Sequence, residues 1–151
     1  MNTRELYNIA NWSTVQSNPI LDADANGTAI DLQGYNGCLV GVFIGAPASA
    51  FDASNYVQLE MEEADETAWG SGTPGAYTDV AEAHLINPIA STTTGAFALI
   101  NDAAEDETIY WVAYIGTKRY IRVHFEYTGA PGAGYAVTLA GKTQAVYQPA
   151  N

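Results

Sequence analysis

The sequence predicts an all-β protein, an antiparallel β-sandwich or a jelly-roll-like barrel, and three observations carry that prediction. Apolar residues recur mostly at every second position or in short continuous runs. Gly, Pro, Asn and Asp interrupt the chain about every ten residues, the spacing of turns between short antiparallel strands. Helix-period stretches are scarce. At 151 residues the chain suffices for one core, burying about two-thirds of its unfolded surface. No fixed-period repeat or composition break divides it. The expected organisation is therefore a single domain, a sandwich over 28–151 preceded by an N-terminal arm over 1–27.

The predicted strands cover 28–32, 38–44, 56–61, 76–80, 95–100, 108–114, 120–127 and 134–145. Turn signals lie between them: Gln33 to Gly37, Gly45-Ala46-Pro47, Gly70 to Gly75, Asn87-Pro88 and Gly129-Ala130-Pro131-Gly132. In strand 120–127 alternation puts Ile121, Val123, Phe125 and Tyr127 on a core face. Tyr120, Arg122, His124 and Glu126 fall on the other. In strand 56–61 the same rule buries Val57, Leu59 and Met61 and turns Gln58, Glu60 and Glu62 to water or to a basic partner. The arm carries Tyr7 and Trp12 as apolar anchors. They dock either on a neighbour or on the chain's own sheet edge, because otherwise both rings would stand in water.

Five Lys and Arg against 17 Asp and Glu give a formal charge of −12, which opposes neutralising phosphates or anionic lipid heads. Nucleic acid and membrane are not expected partners. No run approaches the roughly 20 apolar residues of a membrane span, and the first fifteen residues lack a signal-peptide core. The expectation is a soluble, unprocessed chain. Only 15% of residues are charged, low for a domain whose whole surface is wet, so part of the surface is expected to lie against other subunits.

Catalytic chemistry finds no pattern. His84 and His124 sit in no local arrangement pairing a nucleophile with a base, and Ser49, Ser54, Ser71 and Ser91 form no G-x-S-x-G elbow. Cys38 is the single cysteine; it lies in an apolar strand, the setting of a buried inert thiol. The acidic runs 60–66 and 102–107 lack the residue order of an EF-hand loop and read as solvated loops. The Gly-rich turns have no helix N-terminus behind them to cradle phosphate. No catalytic residue, cofactor or metal ligand is assigned.

The most informative stretch is 110–123, where two aromatic-rich strands meet at Gly116-Thr117-Lys118-Arg119. With Arg122, this hairpin collects three of the five basic residues. Two readings stand: internal salt bridges from Lys118, Arg119 or Arg122 to Glu60 or Glu62, or bidentate contacts with a neighbour's carboxylates. Ten tyrosines add amphipathic area of the kind enriched at interfaces. The candidate subunit-contact residues are thus Tyr7, Trp12, Lys118, Arg119, Tyr120 and Arg122. A carbohydrate platform built from Trp12, Trp69 and Trp111 is the alternative use of exposed aromatics.

Three strings carry a resemblance: Thr28-Ala29-Ile30-Asp31-Leu32-Gln33-Gly34-Tyr35, Val57 to Asp65 (VQLEMEEAD), and Tyr114-Ile115-Gly116-Thr117-Lys118-Arg119-Tyr120-Ile121-Arg122-Val123. Together, over roughly residues 28 to 125, they resemble small proteins of the structural gene clusters of tailed bacteriophages and prophages. The last string is the sharpest. The resemblance implies a virion component, a head decoration or capsid cement protein on the outer capsid surface, made in the host cytoplasm. It implies the major capsid protein as partner and a homo-oligomer, a trimer, as assembly state. Other virion roles remain open beside it: a head-completion or tail subunit, or a displayed receptor- or glycan-binding module. Residues 140–151 depart from the Gly-His-Pro-like ending of that group.

Overall fold

The computed structural model describes residues 10–18, 23–89, 93–132 and 136–144; of residues 10–18 and 144 it describes the backbone only. Two antiparallel sheets pack face to face, the expected sandwich. Sheet A runs in the order β1 (Ala10–Asn18), β11 (Ala136–Gln144), β4 (Tyr35–Ile44), β9 (Thr108–Tyr114), β7 (Leu85–Ile86). Sheet B centres on β10 (Tyr120–Thr128) paired with β5 (Tyr56–Ala64). The short β2 (Ala25–Asn26) and β3 (Ile30–Asp31) join β10, while β6 (Thr78–Asp79) and β8 (Ala96–Ile100) join β5. A 3₁₀ turn at Glu82–His84 precedes β7.

Alternation on the inner faces builds the core. Val40 and Val42 of β4 and Val112 and Tyr114 of β9 face Val57, Leu59 and Met61 of β5 and Ile121, Val123 and Phe125 of β10, all buried. The predicted inward sets of β5 and β10 are therefore the observed ones. Register is held along the full β5–β10 ladder, from Tyr120 opposite Ala64 to Thr128 opposite Tyr56. A slip of one residue there would turn every core side chain outward.

Of the two docking modes expected for the N-terminal segment, the backbone of residues 10–18 takes the sheet-edge one: β1 pairs with β11 from Ala10 opposite Thr143 to Asn18 opposite Ala136. Tyr7 and the side chain of Trp12 lie outside the described residues. Two expectations are corrected. Gln58 and Glu60 do not face water, being 7% and 4% exposed. Their strand is interior to sheet B, flanked by β10 and β8, so neighbouring side chains stand over them. Tyr120, expected on the outer face, is also buried; it starts β10 between Asp31 and Ala64, and the Arg119 guanidinium lies 5.0 Å from its ring centroid.

Boundaries shift for local reasons. Strand 28–32 contracts to Ile30–Asp31 and strand 76–80 to Thr78–Asp79. β4 begins at Tyr35 because Gly34, at φ +83°, closes a tight turn in which the Tyr35 N–H donates to the Leu32 carbonyl at 2.9 Å. β2 and β7 are two-residue pairings, too short to leave a periodic trace.

Phe125 is among the largest fully buried side chains. Phe125→Ala is expected to cost about 3–5 kcal/mol in urea unfolding with an unchanged m-value; a loss below about 1 kcal/mol would show that the two sheets do not share this core.

Candidate functional site

The basic hairpin between β9 and β10 is held by the chain itself. Arg119 grips Asp31 with two prongs, Nε to Oδ1 at 2.9 Å and Nη2 to Oδ2 at 2.8 Å; Nη2 also donates to Gln33 Oε1 at 2.7 Å, and Nη1 pairs with Glu66. Lys118 pairs with Asp65. The Arg122 Nε lies 2.5 Å from Glu62 Oε2, and its guanidinium sits 3.9 Å from the Tyr77 ring centroid. Lys142 donates to the Asp31 carbonyl at 3.1 Å and lies over Tyr35. Every basic side chain among the described residues thus has an internal partner. The internal salt-bridge reading holds for Arg122 with Glu62, while Lys118 and Arg119 choose Asp65, Asp31 and Glu66. Asp31, held by the Arg119 guanidinium, has its carboxyl below the usual range.

These pairs tie three loops together at one end of the sandwich. In the β5–β6 loop, Glu66 accepts the Gly70 N–H at 3.0 Å and the Gly72 N–H at 2.9 Å, and the Gly75 N–H donates to the Asp65 carbonyl at 2.7 Å. The loop so braced presents Trp69 fully to solvent. Trp69 lines a cleft of about 880 Å³ together with Gln33, Asn36 and residues 115–119. Below, the Tyr114 hydroxyl donates to Glu63 Oε2 at 2.6 Å and accepts the Lys118 N–H at 2.9 Å, a bond from sheet A to sheet B.

Of the acidic run 60–66, expected as a solvated loop, residues 60–64 instead belong to β5, with Glu60 and Glu63 buried because that strand is interior to sheet B; the run 102–107 and Asp52 serve turns as Glu66 does. Glu105 accepts the N–H groups of Asn101 and Asp102, Asp102 accepts that of Ala104, and Asp52 accepts those of Ser54 and Asn55. Among the described residues no three His, Cys, Asp or Glu side chains gather as a metal-ion site. Cys38 is buried, and that burial pushes its thiol up to about 12.

The two outer faces differ sharply. Among the described side chains, the outward positions of sheet A include Val137, Leu139, Gly141 and Thr143 of β11, Leu39, Gly41 and Phe43 of β4, Ile109, Trp111 and Ala113 of β9, and Ile86 of β7, aligned by the ladders. None of these is charged. Ile86, Ile109 and Trp111 are 55%, 42% and 39% exposed. Gly41 is what lets this face lie flat: a Cβ there would enter the Trp111 ring, which covers it. Sequence reasoning missed this face, although the runs of β4 and β9 are apolar at odd and even positions alike. Of the three aromatics considered for a carbohydrate platform, Trp69 stands on the β5–β6 loop and Trp111 on this face; the side chain of Trp12 lies outside the described residues.

Sheet B is polar outside. Glu62 and Arg122, Glu60 and His124, and Gln58 and Glu126 stand opposite one another. The Gln58 side-chain amide donates to Glu60 Oε1 at 2.7 Å and to Glu126 Oε2 at 3.0 Å, and His124 Nδ1 meets Asn26 Oδ1 at 2.9 Å. Burial, aided by the nearby Glu126 and Asp79 carboxylates and opposed by the Gln58 bond, pushes Glu60 up to about 7.

A carboxyl raised on folding favours its protonated form, so its contribution is full below 4.5 and is lost as pH climbs to about 7. Asp31, Asp52 and Glu66 are lowered; they stabilise above their ordinary values and lose that effect as pH falls. Stability is therefore expected to peak in mild acid. In thermal melts across pH 4–8, Glu60→Gln should remove the decline between 4.5 and 7; an unchanged slope would clear Glu60 of causing it.

Compared with known proteins, the chain matches no family model, no curated protein and no solved structure.

Proposed function

We propose that this chain is a structural protein of a tailed-phage particle, a capsid cement or decoration protein that binds the outer surface of the head between capsomers and stabilises it. It catalyses no reaction in this reading; its partners are the major capsid protein and copies of itself. The observation that carries the proposal is the uncharged outer face of sheet A in a chain of net charge −12. A large apolar face on a rigid sandwich is a contact surface, since monomeric proteins seldom leave such area in water. The opposite, acidic face keeps an assembled particle soluble and is repelled by DNA of the same sign. Repetition over many copies would let modest contacts add. The resemblance of residues 28 to 125 to phage structural proteins supports the particle over other assemblies.

Purified protein added to undecorated capsids is expected to bind stoichiometrically and to raise their thermal tolerance; saturation binding without that rise would end the cement role. A second reading, a displayed glycan-binding module, is favoured by Trp69 standing fully exposed beside the cleft. It requires a glycan-array signal that Trp69→Ala abolishes; a blank array would remove it.

A further inference from the structure

The outer face of sheet A is wide, flat and uncharged, and its occupant can be argued from charge and dimensions. We propose that it packs on the same face of a second copy of this chain, sheet on sheet about a two-fold axis. The inference rests on the contact-surface reading above and names the partner at that surface.

Two chains of charge −12 repel, so they associate where their charges are farthest apart. Stacked sheets lie about 10 Å apart. In a pair joined through sheet A, the two acidic outer faces of sheet B are separated by three such gaps, about 30 Å. That is several times the roughly 8 Å screening length at physiological salt. A contact through sheet B would instead bring the carboxylates of Glu62 and Glu126 toward their own copies. The uncharged face is the one on which self-association costs least.

Size agrees. Strands about 4.8 Å apart and some seven residues long give sheet A a face of about 24 by 24 Å, on the order of 600 Å² in projection. Its side-chain relief brings the accessible area into the range of about 600–1,000 Å² per partner of a standard interface. Shape agrees as well. Trp111 is laid over Gly41, which lowers the relief where β9 meets β4, and an apolar face of low relief can meet its own copy in an isologous contact. Ile86, Ile109 and Trp111 would lose their exposure there.

The test is sedimentation equilibrium of the full chain across micromolar concentrations. A dimer is expected; Ile109→Glu, which sets like charges into the face, should shift the population to monomer by at least tenfold in dissociation constant. Leu99→Glu, at an exposed position on sheet B, should leave the dimer intact. If Ile109→Glu fails to fold, Ile109→Cys supplies a second measurement. Cys38 is buried, so maleimide labels position 109 alone, at least tenfold more slowly at dimer-forming concentrations than on dilution. A monomer at every concentration, with labelling independent of dilution, would overturn the proposal; this includes the cases in which the capsid or the chain's own terminal segments cover the face. Capsid binding by such a monomer would leave the cement reading standing. A dimer that ignores capsids would sink that reading and keep this one.

Discussion

The contact between the inner faces of the two sheets fixes everything else in this molecule. Val40, Val42 and Val112 from one side meet Val57, Leu59, Ile121 and Val123 from the other, all essentially sealed from water. Because side chains on a strand alternate, the choice of inward residues is also the choice of outward ones. Burying Val40 and Val42 presents Leu39, Gly41 and Phe43; burying Ile121, Val123 and Phe125 presents Arg122, His124 and Glu126. The apolar and the acidic outer faces are consequences of one register.

Charge in this protein works mainly as local architecture. Asp52, Glu66, Asp102 and Glu105 accept backbone N–H groups that turns would otherwise leave to water. Arg119, Lys118 and Arg122 hold the end of the sandwich to carboxylates on other strands and loops. An exposed ion pair contributes little by itself, but the two-pronged Arg119–Asp31 contact, extended to Glu66 and Gln33, fixes relative geometry. Its effect is to brace the loop that carries Trp69. A strongly acidic composition is thus compatible with many internally satisfied carboxylates, and Glu60 is the exception at which burial prevails over hydrogen bonding.

Sheet A departs from the usual antiparallel pattern of one dry and one wet face. Leu39 and Phe43 on β4, Ile109 and Trp111 on β9 and Leu139 on β11 make its outer side almost as apolar as its inner one. That apolar content supplies no additional core within the described part of the chain. It accounts for a composition that is 48% hydrophobic and only 15% charged, and it directs attention to contact as the mode of action.

The sequence by itself determined the class of fold, most long strands and the inward residues of β5 and β10, because period-two alternation and turn residues are local signals. It also determined that Cys38 would be buried and that Arg122 and Glu62 could pair. Only the tertiary structure decided that β1 joins the edge of sheet A, since its Asn- and Ser-rich composition carries little apolar alternation. Only tertiary structure could bury Gln58, Glu60 and Tyr120, because a strand's own pattern does not reveal whether it lies inside or at the rim of a sheet. The same holds for the partners of Lys118 and Arg119: Asp65, Asp31 and Glu66 lie far from them along the chain and are brought near by the folding of loops. The uncharged face of sheet A is likewise a property of strands drawn from residues 35 to 144, and no single strand contains it.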